Sequence, residues 1–327
     1  MEFNYDIDKE HMGSILAKFP QQCWDAIALA RNITIEAKIK NVVVVGMGAS
    51  GIAGDILKNY LGVKLPIKVV KDYDLPEWVN SNTLVFVLSY SGQTEEPIAA
   101  LRTAIRKSAQ VVSITSNGKV KEIAKKMARP LVLIPKDIPP RCALGYLFIP
   151  MLVILSNSKI IDDRTGDIKN MIDSLRNIKF KEKAQELAEK IYNKIPIIYT
   201  SNKLDSIAKR WKEQFNENAK THAFTNVFPE VDHNEIMGYK NLNGEFIVLM
   251  LKDEDDKFEI KERMTATKNI ISEKVPVREI IIRGNCLLTK IFSAIHLGDL
   301  VSYYLALLYE VDPTPVQDIT LIKQGLA

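Results

Sequence analysis

Two short segments of this 327-residue sequence join glycine to hydroxyl side chains directly after an apolar run. The first is Gly46-Met-Gly-Ala-Ser-Gly51, behind Asn41–Val45 and ahead of an apolar stretch over 52–61. It satisfies G-x-G-x-x-G in a strand–turn–helix setting, where backbone N–H groups can approach an anion and a helix N-terminus adds favourable potential. With Asp72 near the end of the next strand, the dinucleotide site of an NAD-dependent dehydrogenase is a serious alternative. The second segment is Ser89-Tyr-Ser-Gly-Gln-Thr-Glu-Glu96, behind the apolar run 84–88. Ser89, Ser91 and Thr94 cluster there around Gly92. Hydroxyls and helix N–H groups suit a phosphate, which offers only acceptors. Thr94 followed by Pro97 also reads as an ordinary helix start. Two such loops on neighbouring strands favour a sugar monophosphate over NAD, because a dinucleotide fold needs no second Ser/Thr-rich loop.

Further along, Ala208, Trp211, Phe215 and Ala219 form an apolar helical stripe, while Arg210, Glu213 and Glu217 share another face. That polar face reads as solvated ion pairs, except that Asn216 and Asn218 flank Glu217 near the helix end. In Pro229–Ile236 four polar residues, Asp232 to Glu235, sit between apolar segments with His233 among them. A loop histidine is either solvated or a proton carrier. His11, His222 and His296 are scattered without HxH or HxxxH spacing, so no metal site is expected. Lys323 lies on a short closing helix over 316–326 and reads by itself as a surface charge.

These residues need a scaffold, and the apolar pattern supplies one. Residues 14–38 have helical periodicity, interrupted at Pro20. Short β-branched runs at 41–45, 67–70, 84–88, 111–114 and 131–134 alternate with helical stretches at 52–61, 95–107 and 119–127. That alternation predicts right-handed crossovers and a parallel α/β sheet. It pauses over 143–190 and restarts with strands at 195–199, 246–251 and 279–282 and helices at 204–219 and 287–309. Laying Val42–Leu61 over Pro196–Phe215 superimposes strand on strand and helix on helix. The expected architecture is two doubly wound, flavodoxin-like parallel-sheet subdomains related by duplication, over 1–155 and 156–327. Thr200–Asp205 stands in the second copy where Gly46–Gly51 stands in the first.

Composition bounds the function. Lys plus Arg (44) against Asp plus Glu (40) gives a net charge of +4, no reason to expect a nucleic-acid or anionic-membrane binder. Cys23, Cys142 and Cys286 are far apart and form no CxxC, which argues against a disulfide framework or zinc ribbon. The longest apolar run, Ala143 to Leu155, contains Pro150 and falls short of the roughly 20 residues that span a bilayer. The first residues lack the pattern of a signal peptide. A soluble cytoplasmic protein is expected.

Taken together, VVVVGMGASG, SYSGQTEEP, PPRCALGYLF, RWKEQFNENAK, PEVDHNEI and DPTPV…IxxIK, in order from about residue 40 to 325, resemble the bifunctional phosphoglucose/phosphomannose isomerases, a family of sugar isomerase (SIS) domain proteins. The resemblance implies two SIS subdomains with an active site at their junction, usually completed across a homodimer, and no cofactor or metal. It implies that Gly48, Ser50, Ser89, Ser91 and Thr94 hold the sugar phosphate. Glu217 would be the base that moves the C2 proton to C1, and Arg141 would stabilise a cis-enediolate. His233, from the neighbouring subunit, and Lys323 would assist ring opening. Ala49 and Gln93 depart mildly from the family's pattern, and neither removes a hydroxyl. The competing implication is a non-catalytic SIS module that binds a sugar phosphate and regulates a partner.

Overall fold

The computed structural model describes residues 1–62 and 65–325. The runs at 41–45, 84–88 and 111–114 are strands because their side chains are buried on both faces of a parallel sheet. Sheet A contains β1 (Asn41–Val45), β2 (Ile67–Val70), β3 (Thr83–Leu88), β4 (Gln110–Thr115) and β5 (Leu131–Leu133), in the order β2-β1-β3-β4-β5. Every pairing is parallel, with Val43 opposite Val85 and Phe86 opposite Val112. One face, carrying Val43, Val45, Val85 and Val87, packs on α4 (Glu95–Arg106) and α5 (Gly118–Lys126). The other face meets α3 (Gly48–Leu61), where Gly54 lies against Val44. Helices on both faces make this a doubly wound sheet.

Sheet B contains β6 (Ile195–Ser201), β7 (Phe224–Phe228), β8 (Phe246–Asp253) and β9 (Val277–Ile282), in the order β7-β6-β8-β9, again all parallel. This repeats the order of the first four strands of sheet A, as a duplicated subdomain should. Between β5 and β6 the chain forms α6 (Leu144–Asn157), α7 (Thr165–Asn177) and α8 (Lys181–Ile191). The connecting helices of sheet B are α9 (Asp205–Glu217) and α10 (Phe258–Ile271), and α11 (Leu287–Leu308) follows β9. The closing helix is α12 (Gln317–Gly325); residue 326, included in the sequence-based helix, lies outside the described residues.

The chain divides into two compact units. One comprises residues 18–177 and 284–292 and holds sheet A; the other comprises 1–17, 178–283 and 293–327 and holds sheet B. Neither is a contiguous segment, so the compact units do not coincide with a single cut between 155 and 156. The reason is local: the chain's first residues join the sheet B unit, where the Tyr303 hydroxyl donates to Asp8 at 2.9 Å.

Other sequence expectations shift. The helix over 14–38 is two helices, α1 (Met12–Ala17) and α2 (Phe19–Ala30), because Pro20 stands in the first turn of the second. β7 was not anticipated: Phe-Thr-Asn-Val-Phe is an edge strand, buried only at Phe228, so it lacks an apolar signature. α11 is long and apolar enough to cross a membrane, yet 94% of its apolar window is buried inside the protein. Thr289, Lys290, Ser293, His296, Asp299 and Ser302 interrupt its sequence, so it does not read as one apolar run.

Candidate active site

In the sheet A unit, Gly48, Ser50, Ser89, Ser91 and Thr94 stand at the carboxyl ends of the adjacent strands β1 and β3. Open α/β sheets bind ligands at this edge. α3 begins at Gly48, four residues earlier than the apolar pattern suggested, so Ala49 and Ser50 belong to its first turn. Met47, at the cap position, contributes no side-chain hydrogen bond, so the first N–H groups of α3 are not capped by that side chain. The second loop is held in a tight turn. Ser89 Oγ accepts from the Gly92 N–H at 3.1 Å and donates to Thr94 Oγ1 at 3.3 Å. Ser91 Oγ accepts from the Gln93 N–H at 3.3 Å. Gly92 has φ +68°, and a Cβ there would stand 1.8 Å from the Asn117 carbonyl oxygen, so only glycine fits. Thr94 is the N-cap of α4 without a side-chain cap bond, which leaves its hydroxyl to other partners.

The structure adds a third loop that the sequence reading passed over. Ser116 Oγ donates to the Tyr90 carbonyl at 2.7 Å and Thr115 Oγ1 to the Asn117 carbonyl at 2.9 Å. The segment Thr115–Gly118 ends β4 and fastens the Ser89–Thr94 loop from the side. Its signal was visible, since it repeats the pattern of hydroxyls before a glycine at a strand-to-helix turn. Lys71, past β2, was also missed; it runs beside Gly51 and pairs with Asp55 at 2.7 Å. Asp72, the residue that kept a dinucleotide in contention, is exposed and accepts from the Tyr73 N–H at 2.7 Å.

Arg141 lies in the same unit, 2% exposed, in the one-turn helix Pro140–Cys142 that packs against α3. Gln22 of α2 holds that turn, donating to the Cys142 carbonyl at 2.8 Å and accepting from the Gly145 N–H at 2.7 Å. The Tyr90 hydroxyl, between Ser89 and Ser91, accepts from the Ile138 N–H at 3.1 Å. Burial pushes that phenol up from its ordinary range, so it stays protonated. The loop with the hydroxyls and the segment leading to Arg141 are therefore tied together.

Glu217, His233 and Lys323 all belong to the sheet B unit. Glu217 is half-buried, while His233 and Lys323 are exposed. α9 starts past the carboxyl end of β6 and runs back, so Glu217, its last residue, lies toward the amino-terminal end of the strands. His233 follows the carboxyl end of β7. Within one chain these two residues are toward opposite ends of sheet B, and the structure does not bring them together.

The residues around His233 anchor its loop. Asp232 accepts from Thr267 at 2.7 Å and from Arg263 at 3.2 Å, both on α10. Glu235 accepts from the Tyr199 hydroxyl and from Asn226 Nδ2, both at 2.6 Å. Tyr199 also shares a 2.7 Å hydrogen bond with Tyr239. Burial pushes both phenols up, Tyr239 to about 12, so the two tyrosines keep their protons at neutral pH. Val231 is buried beneath the loop. His233 is thus presented outward from a fixed turn.

Fold and loops together define a two-sheet protein of the SIS class, with hydroxyl-rich loops on one sheet. Residues 37–129 match the SIS domain family, and residues 180–326 match the bacterial phospho-glucose isomerase C-terminal SIS domain. A bifunctional phosphoglucose/phosphomannose isomerase from Caldicellulosiruptor bescii is 40% identical, with 94% of this chain and 96% of that one aligned. Another from Aquifex aeolicus is 39% identical over 88% of this chain and 90% of its own. A hypothetical protein of known structure from Thermus thermophilus superposes with a TM-score of 0.75 at 14% identity, covering 98% of this chain and 92% of that one; this likeness concerns the fold alone. The chain belongs to the family of bifunctional phosphoglucose/phosphomannose isomerases.

Proposed function

We propose that the protein is an aldose–ketose isomerase that interconverts glucose 6-phosphate, and mannose 6-phosphate, with fructose 6-phosphate through a cis-enediolate. The observation that carries this is the 40% identity, along nearly the whole chain, to a relative named for both activities. The hydroxyl loops at the carboxyl edge of sheet A support it chemically.

In this reading Ser50, Ser89, Ser91 and Thr94, with the helix start at Gly48, receive the phosphate. They supply donors to a group that has only acceptors, and no basic patch is needed. Glu217 removes the C2 proton and returns it at C1, since one carboxylate within reach of two adjacent carbons serves both transfers. Arg141 stabilises charge on the enediolate oxygens, a task suited to a cation that does not lose its proton. His233 and Lys323 move protons during ring opening. The separation of Glu217 and His233 along sheet B supports a homodimer in which each His233 serves the site of the other copy. Three free cysteines, two of them buried, fit a reducing, cytoplasmic setting.

The test is a coupled assay supplying each aldose phosphate separately, with and without a chelator. Fructose 6-phosphate from both, unaffected by the chelator and abolished by Glu217→Gln, is the expected result. Product from glucose 6-phosphate alone would restrict the substrate range. Binding without turnover would favour the regulatory module instead.

A further inference from the structure

Glu217 ends a helix whose contacts with α11 are unusually polar. Arg210 donates from Nε and Nη2 to the two carboxylate oxygens of Asp299, each at 3.0 Å. Trp211 Nε1–H donates to the Ala294 carbonyl at 2.9 Å. Asn218 Nδ2 donates to Ser302 Oγ at 2.9 Å, and that hydroxyl donates to the Asp299 carbonyl at 2.8 Å. Arg210, Asn218 and Ser302 are fully buried and Asp299 nearly so. All these residues lie within the sheet B unit.

We propose that the Asn218–Ser302 hydrogen bond, backed by the Arg210–Asp299 pair, is a positioning device that fixes the register of α9 and thereby places the Glu217 carboxylate. This rests on the reading of Glu217 as the base.

Arg210, Trp211 and Asn218 meet Asp299, Ala294 and Ser302, positions spread over about two turns of α11, so these contacts are made in one matching of partners. An apolar seam tolerates alternative registers. A slide of one turn, about 5.4 Å, would leave a buried guanidinium, a buried carboxylate and a buried amide without these partners. Setting register is the best-attested use of such buried polar pairs. The close approach is built in: a Cβ at Gly298 would stand 2.2 Å from Trp211 Nε1.

The residues around Glu217 complete the clamp. Asn216 Nδ2 donates to the Thr221 carbonyl at 2.8 Å. Lys220, with φ +54°, turns back so that its ammonium donates to the Glu217 carbonyl and, at 3.2 Å, to the Pro313 carbonyl. Asn216, Asn218 and Lys220 therefore all hold the helix end on which Glu217 sits, which gives the Asn-Glu-Asn-Ala-Lys run a mechanical meaning. Glu217 follows Arg210 by seven residues, two helical turns, on the same side of α9.

The experiment compares Ser302→Ala, Ser302→Thr and Asn218→Ala with the wild type, using fructose 6-phosphate formation from C2-deuterated glucose 6-phosphate. A base displaced by about 1 Å loses up to about a hundredfold in rate. Ser302→Ala should lower kcat by tenfold or more while KM stays within about twofold. The primary isotope effect should rise, and more of the C2 label should wash into solvent instead of reaching C1. Ser302→Thr, which keeps the hydroxyl, should restore kcat and the isotope effect. Asn218→Ala should reproduce Ser302→Ala, and the double variant should be no worse than either single one. A loss of activity with unchanged isotope effect and label transfer means only a smaller folded fraction and overturns the proposal, as does retention of kcat within twofold. Glu217→Gln, run alongside, separates the premises: if it remains active the base assignment fails, and if it is inactive while Ser302→Ala behaves as wild type only the positioning role fails.

Discussion

The carboxyl ends of the two sheets have the same strand order and opposite chemistry. In sheet A the strands end in Gly48, Ser50, Ser89, Ser91 and Thr94, with Thr115 and Ser116 behind them, and no carboxylate stands among these residues. In sheet B, β8 ends at Asp253, which is 1% exposed. Lys203, just past β6, pairs with Asp253 at 2.7 Å and with Asp256 at 3.2 Å. Two buried carboxylates against one ammonium repel a phosphate dianion. Duplication preserved what the apolar strands enforce and left the loops free to diverge, because strand pairing depends on burial and loop chemistry does not. One copy has an edge of glycines and hydroxyls; the other closes that edge with an ion-pair cluster and carries Glu217 toward its opposite end.

That contrast can be broken first at Gly92. Gly92→Ala forces a Cβ onto the Asn117 carbonyl in a left-handed backbone. It should cost about 4 kcal/mol of stability, read by chemical denaturation, with activity lost in parallel. The second effect is histidine-linked acid sensitivity, which should belong to the sheet B unit because all four histidines lie there. Burial pushes His296 down to about 4 from its ordinary value of 6.5. Between those values the unfolded chain binds a proton that the folded chain refuses. Stability is therefore fully present above about pH 7 and falls as the pH drops toward 4, by about 3 kcal/mol at roughly 1.4 kcal/mol per unit. Denaturation curves at pH 7.5 and pH 4 measure this, and His296→Gln should flatten the difference.

A smaller effect should follow from Asp253→Asn, which weakens the closed edge of sheet B. The expected loss is about 2 kcal/mol of stability, with KM for fructose 6-phosphate unchanged within about twofold. A large rise in KM would mean that this edge does handle the sugar phosphate. The smallest effect is expected at Ser89→Ala, which on the proposed reading removes one phosphate donor. It should raise KM about tenfold, equivalent to about 1.4 kcal/mol, and leave kcat nearly intact.

Much of this was legible before the structure. Runs such as Val42–Val45 and Leu84–Leu88 are apolar on both faces, so they announced parallel strands, and the hydroxyl loops followed from their position after those strands. The third loop at Thr115–Gly118 carried the same signature and was overlooked. β7 and α10 were harder, since an edge strand buried only at Phe228 and a helix with few buried positions leave little periodicity to read.

What the sequence alone determined is the list of groups and the architecture: two repeated α/β sheets, glycine- and hydroxyl-rich loops in one copy, and a helix that carries Glu217 near its end. Apolar period and turn chemistry are local properties, so local sequence carries them. Tertiary structure decided the partners. Spacing put Arg210 on a face that read as solvated, yet it is fully buried against Asp299, eighty-nine residues along the chain. Spacing likewise gave no hint that Glu217 and His233 lie toward opposite ends of sheet B. Helical and strand periods fix which side chains share a face, whereas the element that meets that face is chosen by packing between distant segments.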